Sequence, residues 1–163
     1  MNPVEKDKIC TYLENKFQLE PEQAQIAANY CQGNIGKAIR FASSSDFIEM
    51  KNQVLKLLKN LDSMDIASII DTIKEFSTHK NDINDYLDLM LLWYRDVLMF
   101  KVTKDANLLL YSDEYSAISE QATKRDYENI ENIIAAIDKA KVRLKANVNF
   151  DVTIELMILA MKD

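Results

Sequence analysis

Residues 82–103, DINDYLDLMLLWYRDVLMFKVT, decide how the chain folds. Tyr86, Met90, Trp93, Val97 and Phe100 recur there at helical spacing. Leu87, Leu91, Tyr94 and Leu98 do the same on an adjoining face. A helix that is apolar on both faces is wrapped by other helices. Asp88, Arg95 and Asp96 exclude a membrane span, which needs about 20 nearly uncharged residues. The length, with no internal Gly or Pro, argues against a strand. The stretch reads as the central helix of an all-α domain.

Upstream of it, Ser63 is placed to cap a helix with Ile66, Ile69, Ile70 and Ile73 inward, and residues 78–81 form a polar break. Before that, Asp46 with Glu49 makes a capping-box-like start to a helix whose inner stripe is Val54, Leu57, Leu58 and Leu61. Ser43, Ser44 and Ser45 are the low-complexity spot taken as a domain boundary. Residues 1–44 read as a compact three-helix unit. Ile9, Leu13 and Phe17 mark its first helix, and Pro21 opens a second along Ala24, Ala27, Ala28 and Cys31. Gly33 is the expected left-handed C-cap before a short third helix over 35–42.

Downstream, residues 104–113 are a connector holding the apolar run 108–111. Ser112 is expected to cap a short helix through about Glu120. Thr123 with Asp126 is expected to cap a long one, with Tyr127, Ile130, Ile134, Ile137 and Leu144 facing the core. Residues 147–149 break that helix, and 150–161 close the chain as a strongly apolar one. Residues 45–163 are thus a larger helical bundle following the small unit.

Composition agrees with an all-α reading. Gly and Pro number two each, too few for a chain of hairpins. At 163 residues a core can be buried without disulfides or metals. The net charge of −6 is a poor basis for nucleic-acid binding, whose affinity comes from clustered cations. Cys10 and Cys31 read as buried free thiols of an intracellular protein. Residues 1–12 carry charges and no apolar signal core, so a cytoplasmic protein without a membrane partner is expected.

Few residues invite chemistry. His79 is the sole histidine and stands in the polar break, which leaves hydrolytic triads nothing to build on. Asp82, Asp85 and Asp88 are spaced for a magnesium site, but the macrodipole also gathers acids at a helix start. Lys139, Lys141, Arg143 and Lys145 split into two rows on a helix and fit its C-terminal dipole better than a phosphate track. Arg95 and Asp96 sit inside the most apolar helix. Each needs a partner on a neighbouring element, or the pair marks an edge where another subunit packs. The loop GNIGKA over 33–38 is not a phosphate-cradling GxxxxGK[ST] loop.

The segment CQGNIGKAI over 31–39 resembles the lid of an AAA+ clamp-loader subunit. WYRDVL over 93–98, with Trp93, Arg95 and Asp96, and Asn147 and Asn149 followed by Val152, Ile154, Glu155 and Leu156 carry the same resemblance. So does the order, a three-helix lid over 1–44 and then a helical collar over 45–163. The pattern is similar to the delta-prime branch of the bacterial DNA polymerase III clamp loader, with gamma/tau the nearest confusion.

The resemblance implies a non-catalytic subunit with no cofactor or metal. It also implies a collar that joins delta and gamma/tau in a hetero-oligomeric ring, which reaches primed DNA and the sliding clamp only when assembled. The family's nucleotide-fold domain does not precede the lid here, so a C-terminal fragment is expected. At the position where motor subunits carry a sensor arginine this chain has Gly36, then Lys37, and glycine supplies no charge for a phosphate. Surplus apolar residues mark Phe100 and Val102 at the end of the central helix, and Met157 and Met161 in the last, as a subunit interface. A generic helical adaptor and a small magnesium-dependent enzyme at Asp82, Asp85 and Asp88 are the other readings.

Overall fold

A computed structural model of the chain describes residues 6–18, 21, 24, 27, 28 and 45–162. Among these residues the regular structure is helical and includes no strand. The α-helices are α1 (Lys6–Phe17), α2 (Ser45–Asn60), α3 (Ile66–Ser77), α4 (Ile83–Thr103), α5 (Tyr115–Lys124), α6 (Tyr127–Lys145) and α7 (Phe150–Lys162). Short 3-10 turns join several of them.

In the N-terminal part, Ile9 and Leu13 of α1 are buried, as are Ala24, Ala27 and Ala28 in helical backbone. The Cys10 thiol lies 3.6 Å from the Ala24 carbonyl, so α1 touches the backbone at Ala24. Gln18 ends α1 in the left-handed region, with φ 53°. Cys31, Gly33, Gly36, Lys37, Ser43, Ser44 and the expected third helix lie outside the described residues.

The central helix α4 is as the periodicity predicts. Tyr86, Leu87, Met90, Trp93, Tyr94, Val97 and Phe100 are buried, and Leu91 and Leu98 pack partly buried against the same core. Helices α2, α5 and α6 wrap it. Lys104, left-handed at φ 58°, closes it by donating its amide to the Phe100 carbonyl at 2.8 Å. Helix α7 then packs on α6 and on α3. This second layer positions the surface discussed below.

Several boundaries differ from expectation, each for a local reason. Helix α2 starts at Ser45, so Asp46 lies inside its first turn. Asp65, not Ser63, caps α3, accepting from the Ser68 amide at 2.8 Å. The Ser63 hydroxyl is used one turn earlier, donating to the Asn60 carbonyl. Ile69, Ile73 and Phe76 are buried, while Ile66 is 77% exposed and Ile70 is also exposed. The apolar stripe of α3 is wider than its contact with α7, and Ile66 and Ile70 fall on its uncovered flank. Helix α5 continues to Lys124 because the Thr123 hydroxyl bonds back to the Ser119 carbonyl instead of capping forward. Asp126 alone caps α6, accepting from the Asn129 amide at 2.7 Å. Tyr127 is exposed, with the Lys101 ammonium 5.2 Å from its ring centroid, and Ile133 and Ala140 join Ile130 and Ile137 in the core.

Candidate subunit interface

The WYRD residues of α4 act first as a clasp within the chain. The Asp96 carboxylate is fully buried. Its Oδ1 accepts from the Leu110 amide at 3.0 Å and its Oδ2 from the Tyr111 amide at 2.8 Å. A carboxylate in this position satisfies two donors of the connector that would otherwise be buried unpaired. Its partner is therefore backbone, a solution that neither sequence reading contained. Arg95 is half-exposed and sits 3.4 Å from the same carboxylate, so the pair does interact. Loss of water raises the Asp96 pKa above the usual carboxylate value, outweighing the two amides and Arg95.

Trp93 extends the clasp. Its Nε1 donates to Gln121 Oε1 at 3.3 Å, and Gln121 Nε2 donates to the Leu58 carbonyl at 3.1 Å. One side chain of α5 thus links α4 to α2. Tyr111 stands edge-on to the Trp93 ring at 5.5 Å, and its hydroxyl donates to the Leu89 carbonyl at 2.9 Å. Nearby, the buried Arg125 guanidinium donates to Asp62 at 3.0 Å and to Asn129 at 2.6 Å. Asp62 also holds Lys124, whose hydrogen bond keeps the Asp62 pKa below its ordinary value.

The break over 147–149 is built by its two asparagines. Asn147 is left-handed at φ 60°. Its amide donates to the Leu144 carbonyl and the Val148 amide to the Arg143 carbonyl, which is the Schellman pairing of a helix end. Asparagine tolerates this backbone better than most residues that carry a Cβ. Asn149 then starts α7, its Oδ1 accepting from the Val152 amide at 3.0 Å. Replacing Asn149 by alanine should cost about 1 kcal/mol in urea-denaturation stability, the usual worth of a side-chain cap. An unchanged midpoint would show that this cap does not hold α7.

The two caps set the direction of α7 and hence its surface. Ile154, Met157, Ile158 and Met161 are buried against the body of the protein. Val152, Leu156 and Leu159 recur at i, i+4 and i+7 on the opposite face and are exposed, with Glu155 exposed beside them. Met157 and Met161 were expected at the surface and are instead core residues. A helix that is apolar all round leaves its inner face undetermined until its neighbours are known, and here α3 and α6 choose it. Phe100 is likewise buried, edge-on to Tyr115 at 5.5 Å, whereas Val102 is 63% exposed. The spacing of Val152, Leu156 and Leu159 was the signal that a second apolar stripe runs along this helix, though not of which stripe faces in. Ile66 and Ile70 add exposed apolar surface on α3, which packs against α7.

The other polar candidates resolve into structural contacts. Lys141 of α6 forms an ion pair with Asp88 of α4, so Asp88 is engaged by a cation within the chain. Asp85 is partly buried, and loss of water, reinforced by the Asp88 charge, raises its pKa. Among the described residues no group of His, Cys, Asp and Glu is arranged to hold a metal ion. His79 packs its ring 5.8 Å from that of Tyr86. No described helix is long and apolar enough to cross a membrane.

No family model matches the chain, and no solved structure matches it. Among curated proteins it is similar to "DNA polymerase III subunit delta'" of Bacillus subtilis (strain 168), at 28% identity over 148 residues. The match covers 89% of this chain and 44% of that relative, so the chain spans less than half of its length. Similarity along nearly the whole chain sets this all-α protein beside a delta-prime subunit.

Proposed function

We propose that this chain is a non-catalytic assembly subunit of a bacterial replicative clamp loader, of the delta-prime kind. Residues 1–44 are its lid and residues 45–163 its collar. The collar joins delta and gamma/tau in a hetero-oligomeric ring, and primed DNA and the sliding clamp are met only through that complex. The observation that carries this reading is the similarity to a delta-prime subunit over 89% of the chain.

Two features of the chain support it. The exposed stripe Val152, Leu156 and Leu159, with Ile66 and Ile70 on the adjoining helix, is the kind of apolar surface that marks an interaction site. A ring of unlike subunits uses heterologous contacts, so such a stripe need not be self-complementary. Gly36 at the sensor position supports the non-catalytic assignment, since it brings no charge to a phosphate.

The test is light scattering of the chain alone and mixed with purified delta and gamma/tau. A monomer alone and a defined hetero-oligomer in the mixture are expected. Leu156→Asp should weaken assembly by roughly 30-fold or more, because a charge in a desolvated apolar contact costs about 2 kcal/mol. Its helical circular-dichroism signal should stay unchanged, since Leu156 is outside the core. A stable homodimer, or no complex at concentrations of about 50 μM, a weak-interface affinity, would overturn the proposal.

A further inference from the structure

A second surface lies away from the outer face of α7. A cleft of about 950 Å³ runs between the start of α4 and the turn joining α6 to α7. Its volume is at the upper end of the about 300–1,000 Å³ typical of ligand sites. Ile83, Val142, Leu144, Val148 and Phe150 line it with apolar surface. Val142 is 67% exposed and Val148 is exposed. Three lysines, Lys80, Lys141 and Lys145, line the same cleft.

The lysines differ in their engagement. Lys141 is paired with Asp88. Among the described residues neither Lys80 nor Lys145 forms an ion pair. The Lys80 ammonium sits 5.3 Å from the centroid of the Phe150 ring, so its charge is held over the cleft. In a chain of net charge −6, cations around an apolar concavity run against the general charge of the surface. Such a site complements a ligand that is both apolar and anionic.

We propose that this cleft docks a short acidic segment of a partner protein, with an aliphatic side chain against Val142 and Val148 and flanking carboxylates on Lys80 and Lys145. Single-stranded nucleic acid is the competing anion. It needs a row of cations for its phosphates and open aromatic faces for its bases. Here Lys141 is already neutralised, and Lys80 covers one face of Phe150, the one aromatic side chain lining the cleft among the described residues. The aliphatic lining favours the peptide. The docking site is separate from the outer stripe of α7 and does not depend on the clamp-loader assignment.

A direct measurement uses the full chain and the fluorescein-labelled peptide Asp-Glu-Leu-Asp-Ile-Leu-Glu-Asp, followed by anisotropy at about 0.15 M salt, where the Debye length is about 8 Å. A labelled oligothymidylate and a peptide with lysine at every acidic position run in parallel. Saturable binding of the acidic peptide is expected, with none of the lysine peptide. The double variant Lys80→Glu/Lys145→Glu should weaken it about 10-fold or more, as reversing contact charges does. Val142→Asp should weaken it comparably. Lys74→Glu, on α3 and not lining the cleft, should leave it unchanged. Circular dichroism of each variant checks the fold. No saturation by about 1 mM peptide would overturn the proposal, that being the weakest affinity worth calling a site. So would equal losses in Lys74→Glu and the cleft variants, or tighter binding of the oligothymidylate than of the peptide.

Discussion

Replacing Asp96 by alanine should lower the unfolding free energy by about 3 kcal/mol, read from urea denaturation at neutral pH. The loss comes from the connector rather than from a deleted ion pair. Without the carboxylate, the Leu110 and Tyr111 amides are left buried with no acceptor. Unpaired buried donors carry their full desolvation cost. Asp96→Asn should fall between wild type and alanine, because its side chain has one oxygen for the two amides. A loss below about 1 kcal/mol for alanine would mean that the connector finds other acceptors.

The same residue sets a pH dependence. The folded chain holds a proton on Asp96 more readily than the unfolded chain, whose carboxyl has the ordinary value of 3.8. Stability at this site therefore rises as pH falls through the raised folded pKa, and is fully present below 3.8. It is lost again as pH rises. Asp85 acts in the same direction. Asp62 acts in the opposite one: its lowered pKa gives stability present above 3.8 and lost as pH falls through the depressed value. The stability gap between wild type and Asp96→Asn should accordingly widen from neutral pH toward the ordinary carboxylate range. Comparing the two proteins cancels Asp62 and Asp85. A gap that narrows on acidification would show that the two amides, not desolvation, govern Asp96.

Trp93→Ala should be costlier still, about 4 kcal/mol, the usual loss for truncating a buried aromatic. For a domain of this size that corresponds to a fall in Tm of roughly 10 °C by calorimetry. Trp93 is fully buried against Tyr111, and its Nε1 is the far end of the hydrogen-bonded link through Gln121 to the Leu58 carbonyl. Trp93→Phe keeps most of the ring volume and removes that donor, so it should lose about 1–2 kcal/mol. Equal losses for the two variants would assign the whole effect to the hydrogen bond and none to packing.

Helix identity and most of the core were legible in the sequence, because both follow from local spacing. The stripe from Tyr86 to Phe100 in α4 and that from Val54 to Leu58 in α2 are buried as their periodicity requires. The break at Asn147 and Asn149 was legible too. Short polar side chains that tolerate left-handed backbone and cap helices are a local signal, and the structure uses them for both purposes. The resemblance through these residues and WYRDVL runs the same way as the similarity to a delta-prime subunit.

Tertiary structure decided what depends on which elements become neighbours. The inward face of α7 is one case: Ile154, Met157, Ile158 and Met161 face the body, and Val152, Leu156 and Leu159 face out. Both faces are apolar, so burial alone favours either one until α3 and α6 have taken their places. For α3 the contact surface is narrower than the apolar stripe, which leaves Ile66 and Ile70 outside. Asp96 is the remaining case. Its acceptors are claimed by backbone amides at Leu110 and Tyr111, beyond the end of its own helix. Every residue but proline carries such an amide, so no side-chain pattern identifies that partner, and only the return of the chain against α4 brings it within reach.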